Sequence, residues 1–387
     1  MIISLIHSLS RPDELSAMIR LKMSQKANKT TAVPLGFVAK TMEPREFCYA
    51  VLDKVSRSFA AVIQQLPPDL KDPVCVFYLV LRGLDTIEDD MSLESSKKIE
   101  LLKSFHEKHY SPKWFIEGIG EDRDYQVLLE NYEKVILTFQ KLEEPYQEII
   151  TNICRQMGEG MARFVNKKVE TVEDYNLYCH YVAGLVGIGL SQLFSISKLE
   201  DENLMKETDL ANSMGLFLQK TNIIRDYTDD LRESRIFWPT EIWSKYGNEY
   251  RDFFDHPKGK NSIHCLNSMI TDALQHATDC LKYLGMIRNP NVFKFCAIPQ
   301  VMAIATLSKL YNNHQVFIEN VKIRKGLAAK LILQTKSMDD VNLIFSGMIK
   351  KIISGLEKND PNYQFVLEIE QKIFQIIREG SRSTLTN

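Results

Sequence analysis

Apolar residues recur three and four positions apart along most of this 387-residue chain, and no stretch alternates with the period of two that a half-buried strand needs. That pattern predicts an all-α protein. Helices are expected near 44–65, 72–91, 123–141, 145–165, 174–198, 206–230, 262–286, 291–313, 322–335, 338–356 and 362–378. The breakers Pro67-Pro68, Ser111-Pro112, Pro239, Asn289-Pro290 and Asp360-Pro361 punctuate them. There is no internal repeat and no low-complexity linker. The economical organisation is one helical domain, 41–378, around a large central cavity. A partly ordered arm (1–40) precedes it and a short polar tail (379–387) follows.

Composition removes several function classes. The net charge of -2 gives no bulk attraction to nucleic acid. The seven cysteines (48, 75, 154, 179, 265, 280 and 296) are scattered, with no Cys-x-x-Cys, and read as reduced, buried thiols. The apolar start, Met1-Ile2-Ile3, lacks the basic residues of a leader. The longest apolar runs, 181–190 and 297–307, fall short of the roughly 18 residues a membrane span needs and are expected to be core helices.

Two acidic clusters carry most of the chemistry. The first is Asp85-Thr86-Ile87-Glu88-Asp89-Asp90. Helical spacing puts Tyr78, Arg82, Asp85 and Asp89 on one stripe, with Glu88 beside it. The second is Asp226-Tyr227-Thr228-Asp229-Asp230, where Gln219, Asn222, Asp226 and Asp230 form a stripe next to Arg225. Either cluster alone also fits an exposed ion-pair face or a satisfied buried hydrogen-bond network. Two clusters, each with an arginine and each emerging from an apolar segment, favour a site for Mg²⁺ carrying a diphosphate. Mg²⁺ takes hard oxygen ligands and keeps waters and substrate phosphates in its shell.

Three further features are ambiguous by themselves. Gly184, Gly187 and Gly189 lie in a helical run, each costing about 1 kcal/mol relative to alanine. They fit close helix packing or a wall thinned for a bulky apolar substrate. Ahead of them, His180 reads as structural and Tyr178 as a polar tip in an oily pocket. Ser56-Arg57-Ser58-Phe59 fits a phosphate at a helix N-terminus or, for Ser56, a plain cap. Lys322-Ile323-Arg324-Lys325 fits a solvated face or a clamp for a cofactor phosphate. No Gly-x-Gly-x-x-Gly follows a strand and no phosphate-loop motif occurs, so a nicotinamide cofactor would bind outside a Rossmann fold.

Taken together, the stretches 56–63, 77–91, 178–191, 212–227 and 295–307 resemble the squalene synthases, farnesyl-diphosphate farnesyltransferases of the all-helical isoprenoid synthase class. The resemblance runs from about Ser56 to Lys330. It implies head-to-head condensation of two farnesyl diphosphates to presqualene diphosphate, then NADPH-dependent reductive rearrangement to squalene. It implies Mg²⁺ at Asp85, Glu88, Asp89, Asp226 and Asp230, and Tyr178 as acid/base. Diphosphate or NADPH phosphates would be held by Arg57, Arg82, Arg225, Lys322 and Arg324. Ser56, Ser58, Phe59, Tyr78, Val182, Ala183, Val186, Gly187, Gln219, Asn222 and Phe295 would line the substrate site, with 164–168 as a flap. A monomer is expected, and the resemblance also implies a place at the endoplasmic reticulum membrane, facing the cytosol. Its C-terminal anchor is absent from this sequence and is expected to have been removed or to lie beyond Asn387. Asp229 stands where the family usually has Glu, and 231–236 lacks a glycine pair some members carry. Two other readings compete: a non-reductive dehydrosqualene or phytoene-type synthase, and a helical scaffold without activity.

Overall fold

The computed structural model describes residues 39–383, together with 13, 14, 16–18, 20 and 36, so most of the expected arm and the last residues of the tail lie outside the described residues. Among the described residues every regular element is a helix. The chain divides into two compact units. One comprises Thr30–Lys167 and Gly184–Thr208; the other comprises Lys168–Ala183 and Asp209–Asn387 with the described part of Met1–Lys29.

Expected and observed helices differ in instructive ways. Pro67-Pro68, read as a breaker, starts a helix: Pro68 opens Pro68–Asp89, where a missing N–H costs nothing and φ is already helical. Single expected helices are interrupted at Ser56, Asn131 and Asp226, and by a π-helical turn at His180–Gly184. Ser95–Ser104 was not expected. Its sequence is mostly polar, and only Lys98 and Leu102 are buried. Such a narrow apolar stripe gives little periodic signal.

In the first unit Pro68–Asp89 is the axis. It buries Leu70, Val74, Phe77, Val80, Leu84 and Ile87 and packs on Pro44–Val55, Tyr132–Phe139, Glu144–Phe164 and Leu185–Ile196. Glycine permits two of the close approaches. A Cβ on Gly189 would lie 2.7 Å from Phe77 Cζ, and one on Gly158 would lie 2.1 Å from the Leu102 carbonyl oxygen. Gly189 therefore takes the packing role.

In the second unit Tyr227, Trp238, Tyr250, Phe253 and Phe317 form one aromatic cluster. Two of its polar tips are paired: Tyr227 donates to the Tyr250 carbonyl at 2.8 Å and Trp238 Nε1 to the Ile223 carbonyl at 3.3 Å. This cluster anchors the chain on both sides of the second acidic segment. The seven cysteines are all free and buried, as expected.

One expectation is corrected. Two helical stretches, Val172–Ile196 and Pro290–Leu310, are long and apolar enough to cross a membrane by length and composition. In the first, uncharged Tyr, His, Gly, Ser and Cys residues separate the apolar runs; the second carries only Lys294 and Lys309 as charged residues among its apolar ones. Burial covers 72% of the apolar window of Pro290–Leu310, which is a core helix here, but only 44% of that of Val172–Ile196.

Gly158→Ala should destabilise the protein by about 3 kcal/mol, because backbone must move to admit the methyl group. Gly285→Ala, at a helical position with nothing within 4 Å of the added carbon, should be neutral or slightly stabilising. Thermal melting of the two variants beside the parent chain measures the difference.

Candidate functional site

The first acidic cluster is the C-terminal end of an apolar helix. Arg82 is its counter-charge, with Nη1 3.6 Å from Asp85 Oδ2 and Nη2 donating to the Tyr78 hydroxyl at 3.3 Å. The guanidinium also lies over the Tyr78 and Tyr125 rings, and Tyr78 meets Phe59 at a centroid distance of 5.9 Å. Burial opposes the charge on Arg82, but Asp85 and the two tyrosines outweigh it and raise its pKa. Burial pushes the Asp85 carboxyl up to about 6; Arg82 pulls it down and Asp89 adds to the rise. Arg82 Nε is buried without a partner, an unfilled donor beside a set of acids. Glu88 is half-buried and Asp89 exposed. Asp90 instead ends the helix, accepting from the Ser92 and Gly120 backbone N–H groups at 2.8 Å.

The second cluster departs from the expected stripe. The helix Thr208–Arg225 stops at Asp226, which has φ -92° and ψ 13° and opens a new turn, Tyr227–Arg232. The accessible stripe therefore runs through Gln219, Asn222, Arg225, Asp226 and Asp229. Asp230 turns inward: it is 7% exposed and lies 3.2 Å from Arg235. Arg225 grips Asp226 with two bonds, Nε to Oδ1 at 2.8 Å and Nη2 to Oδ2 at 2.5 Å. Asn320 Nδ2 donates to both Asp226 and Asp229, the latter at 2.8 Å. Sequence reasoning missed Asn320, since nothing in periodicity links it to a segment ninety residues earlier.

Tyr178 belongs to the same unit as this second cluster. Its ring stacks on Phe237 at 5.0 Å and 20°, and Arg235 sits 5.7 Å over the other partner of that pair while also holding Asp230. An aromatic–cationic stack thus joins Tyr178 to the second acidic segment. The adjoining residues Val182, Ala183, Val186 and Gly187 are all half-buried, an apolar helical face only partly covered. The π turn at His180–Gly184 lies within it, a local distortion common at functional sites. His180 Nδ1 pairs with Asn212 Oδ1 at 2.8 Å.

The remaining expected residues are dispersed in character. Ser56 caps Arg57–Ile63 by accepting from the Phe59 N–H at 3.3 Å, the structural role. The side chains of Arg57 and Ser58 lie outside the described residues. Phe295 is 5% exposed within Pro290–Leu310. Lys322 is exposed, and its carbonyl accepts from Lys309. Arg324 already holds a carboxylate, that of Glu14. The expected flap begins where Glu144–Phe164 ends, with Lys167 over the Phe164 ring at 5.3 Å.

Among the described residues no group of three or more His, Cys, Asp or Glu side chains is gathered to hold a metal ion by itself. Mg²⁺ commonly takes only one or two carboxylates and completes its shell with water and substrate phosphate. Accessible carboxylates beside arginines fit that mode and do not fit a closed all-protein metal cage.

Residues 52–326 match the squalene/phytoene synthase family. A squalene synthase of Rattus norvegicus is 48% identical over 358 residues, 92% of this chain and 85% of that protein. Squalene synthase LSS of Botryococcus braunii is 48% identical over 97% of this chain and 81% of its own length. The solved structure of TcSQS with the ligand E5700 superimposes with a TM-score of 0.85 at 42% identity, covering 87% of this chain and 99% of that one. The chain belongs to the squalene synthase family. Its fold is the all-helical isoprenoid synthase fold, and its activity is that of a farnesyl-diphosphate farnesyltransferase.

Within this squalene synthase one buried ion pair supports the helix that carries Tyr178. Lys220 is 1% exposed and binds Asp272 at 2.6 Å, while its ammonium lies 5.1 Å over the ring of Tyr175. Burial and Lys220 together hold His276 down at about 3. Tyr175 is one turn ahead of Tyr178 in Val172–Cys179. Lys220→Met strands the Asp272 carboxylate and should cost about 3–5 kcal/mol, whereas the double change Lys220→Met with Asp272→Leu should recover most of it. A double-mutant cycle by thermal or denaturant unfolding reads the coupling; equal losses in the single and double variants would refute it.

Proposed function

We propose that this squalene synthase uses Mg²⁺ and NADPH, with the two acidic clusters as its diphosphate sites. The observation that carries the reading is the recurrence, in each unit, of an accessible aspartate held by an arginine: Asp85 with Arg82, and Asp226 with Arg225. Asp85, Glu88 and Asp89 would hold metal at the first cluster and Asp226 at the second, where Asp230 would join only by leaving its inward contact with Arg235. Asp229 joins them on the strength of its shared contact with Asn320. Bound there, Mg²⁺ would neutralise the departing diphosphate, and NADPH would supply the hydride of the reductive half-reaction.

The chain's own residues do the rest. In the condensation one farnesyl diphosphate loses diphosphate, and a proton must leave as the cyclopropane closes. Tyr178, stacked and nearly buried, would take that proton while its own phenolic proton passes to the departed diphosphate. In the second half-reaction the intermediate loses its diphosphate and rearranges, and a hydride ends the cation as squalene. Arg82, Arg225, Arg57, Lys322 and Arg324 would bind diphosphate or cofactor phosphate. Phe59, Tyr78, Phe295 and the half-covered face at Val182, Ala183, Val186 and Gly187 would exclude water from the prenyl chains, which would otherwise quench the cation. Ser56, Ser58, Gln219 and Asn222 would complete the polar end of the site, with 164–168 as a flap. A monomer at the endoplasmic reticulum membrane, with these helices on the cytosolic side, belongs to the same reading.

Incubation with farnesyl diphosphate and Mg²⁺, with and without NADPH, tests it. Squalene should form only with NADPH, and presqualene diphosphate should accumulate without it. Squalene made without NADPH, or a dehydrosqualene product with it, would overturn the reductive assignment. Asp85→Asn and Asp226→Asn should each lose about a hundredfold or more in turnover while melting at close to the parent temperature.

Tyr178→Phe keeps the stack on Phe237 and removes only the hydroxyl. Formation of presqualene diphosphate should fall about a hundredfold. Conversion of supplied presqualene diphosphate to squalene should fall less, and equal losses in both half-reactions would count against a role in the first.

A further inference from the structure

Arg324 is the N-cap residue of the ten-residue helix Lys325–Gln334 and stands in the basic run assigned above to a cofactor phosphate. It is not an empty cation. Glu14, only 8% exposed, lies against it in a two-point contact: Arg324 Nη2 donates to Oε1 at 2.6 Å and Nε to Oε2 at 3.2 Å. The neighbouring Asp13 binds Lys330, one further turn along the same helix. The carboxylate of Glu14 is also pressed onto the helix start. A Cβ on Gly326 would meet Glu14 Cβ at 2.7 Å and Oε2 at 2.8 Å. A guanidinium fork, a glycine that lets an anion close in, and the first turn of a helix are the parts from which phosphate sites are built. Here the occupant is a carboxylate supplied by the chain itself.

We propose that Glu14 is an internal competitor for the phosphate-binding group Arg324, so that a phosphate monoester of the cofactor must displace the Glu14 carboxylate to bind. The inference rests on the assignment of Arg324 to cofactor phosphate. A dianionic phosphate offers the guanidinium the same two-point geometry with more charge, so it wins the exchange, but its apparent affinity is reduced by the fraction of molecules in which Glu14 is seated. Glu14 thereby sets how strongly the enzyme distinguishes a phosphorylated dinucleotide from its unphosphorylated counterpart. A dinucleotide without that phosphate has no reason to displace it.

The test is direct binding of NADPH and of NADH to the full chain and to Glu14→Gln, Glu14→Ala and Arg324→Ala, by calorimetry without farnesyl diphosphate. Glu14→Gln keeps the shape of the contact and removes its charge, and melting temperatures confirm that each variant is folded. NADPH should bind about three- to tenfold more tightly to both Glu14 variants, with NADH unchanged, and Arg324→Ala should weaken NADPH. NADPH binding that is unchanged or weaker in both Glu14 variants, with Arg324→Ala still weakened, would overturn the inference and make Glu14 a residue that merely positions Arg324. An equal gain for NADH would also overturn it. NADPH binding unaffected by Arg324→Ala would overturn the assignment of Arg324 itself, and this inference with it.

Discussion

Ionised carboxylates at the end of an apolar helix are unstable neighbours, and much of this structure answers that problem. Asp85 follows a segment in which nearly every residue from Val74 to Leu84 is buried. Its carboxyl is pushed up to about 6 by burial, against the pull of Arg82. Without Arg82 the Asp85 carboxyl would be pushed up further and would take up a proton more readily. The tyrosines that flank Arg82 keep the guanidinium in place, so the apolar helix, its aromatic neighbours and its acids form one electrostatic unit. The same logic explains why Asp90, at the very end, is spent on the local turn.

The second cluster solves the problem by geometry. A continuous helix would have set Asp226 and Asp230 side by side on one face. The break at Asp226 turns Asp230 inward to Arg235 and brings Asp229 to the accessible side, where one amide, Asn320, holds it with Asp226. The aromatic cluster of Tyr227, Trp238, Tyr250 and Phe317 makes the break affordable, because it fixes the chain beyond Asp226 independently of helical hydrogen bonding. The stack of Tyr178, Phe237 and Arg235 then ties the neighbouring segment to the same support.

These cases mark what the sequence could and could not reveal. Helix-period patterning made the all-helical class legible, and the acidic runs made the two clusters legible, because both signals are local. The break at Asp226 was not legible, since it is enforced by aromatic packing from residues 238, 250 and 317. Ser95–Ser104 was missed because a helix with two buried residues leaves almost no periodicity. The glycine run was ambiguous by nature. Gly189 proves to be a packing glycine against Phe77, while the half-covered face around Val186 keeps the other reading open to experiment. Asn320 and Glu14 were invisible because each acts only through long-range contacts.

Those contacts share a property with chemical consequences. Arg82, Arg225 and Arg324 each hold a carboxylate: Asp85, Asp226 and Glu14. On the proposed reading, ligands at these sites exchange partners and do not simply meet free cations. A metal–diphosphate complex suits the first two, because it brings a cation for the aspartate and an anion for the arginine. Both halves of the divided ion pair are satisfied again, and the desolvation cost of separating them is largely offset. A lone anion leaves the aspartate stranded, so these pairs select for the complex over free diphosphate. At Arg324 the balance differs. A cofactor phosphate brings only the anion, and Glu14 must find its own solvation.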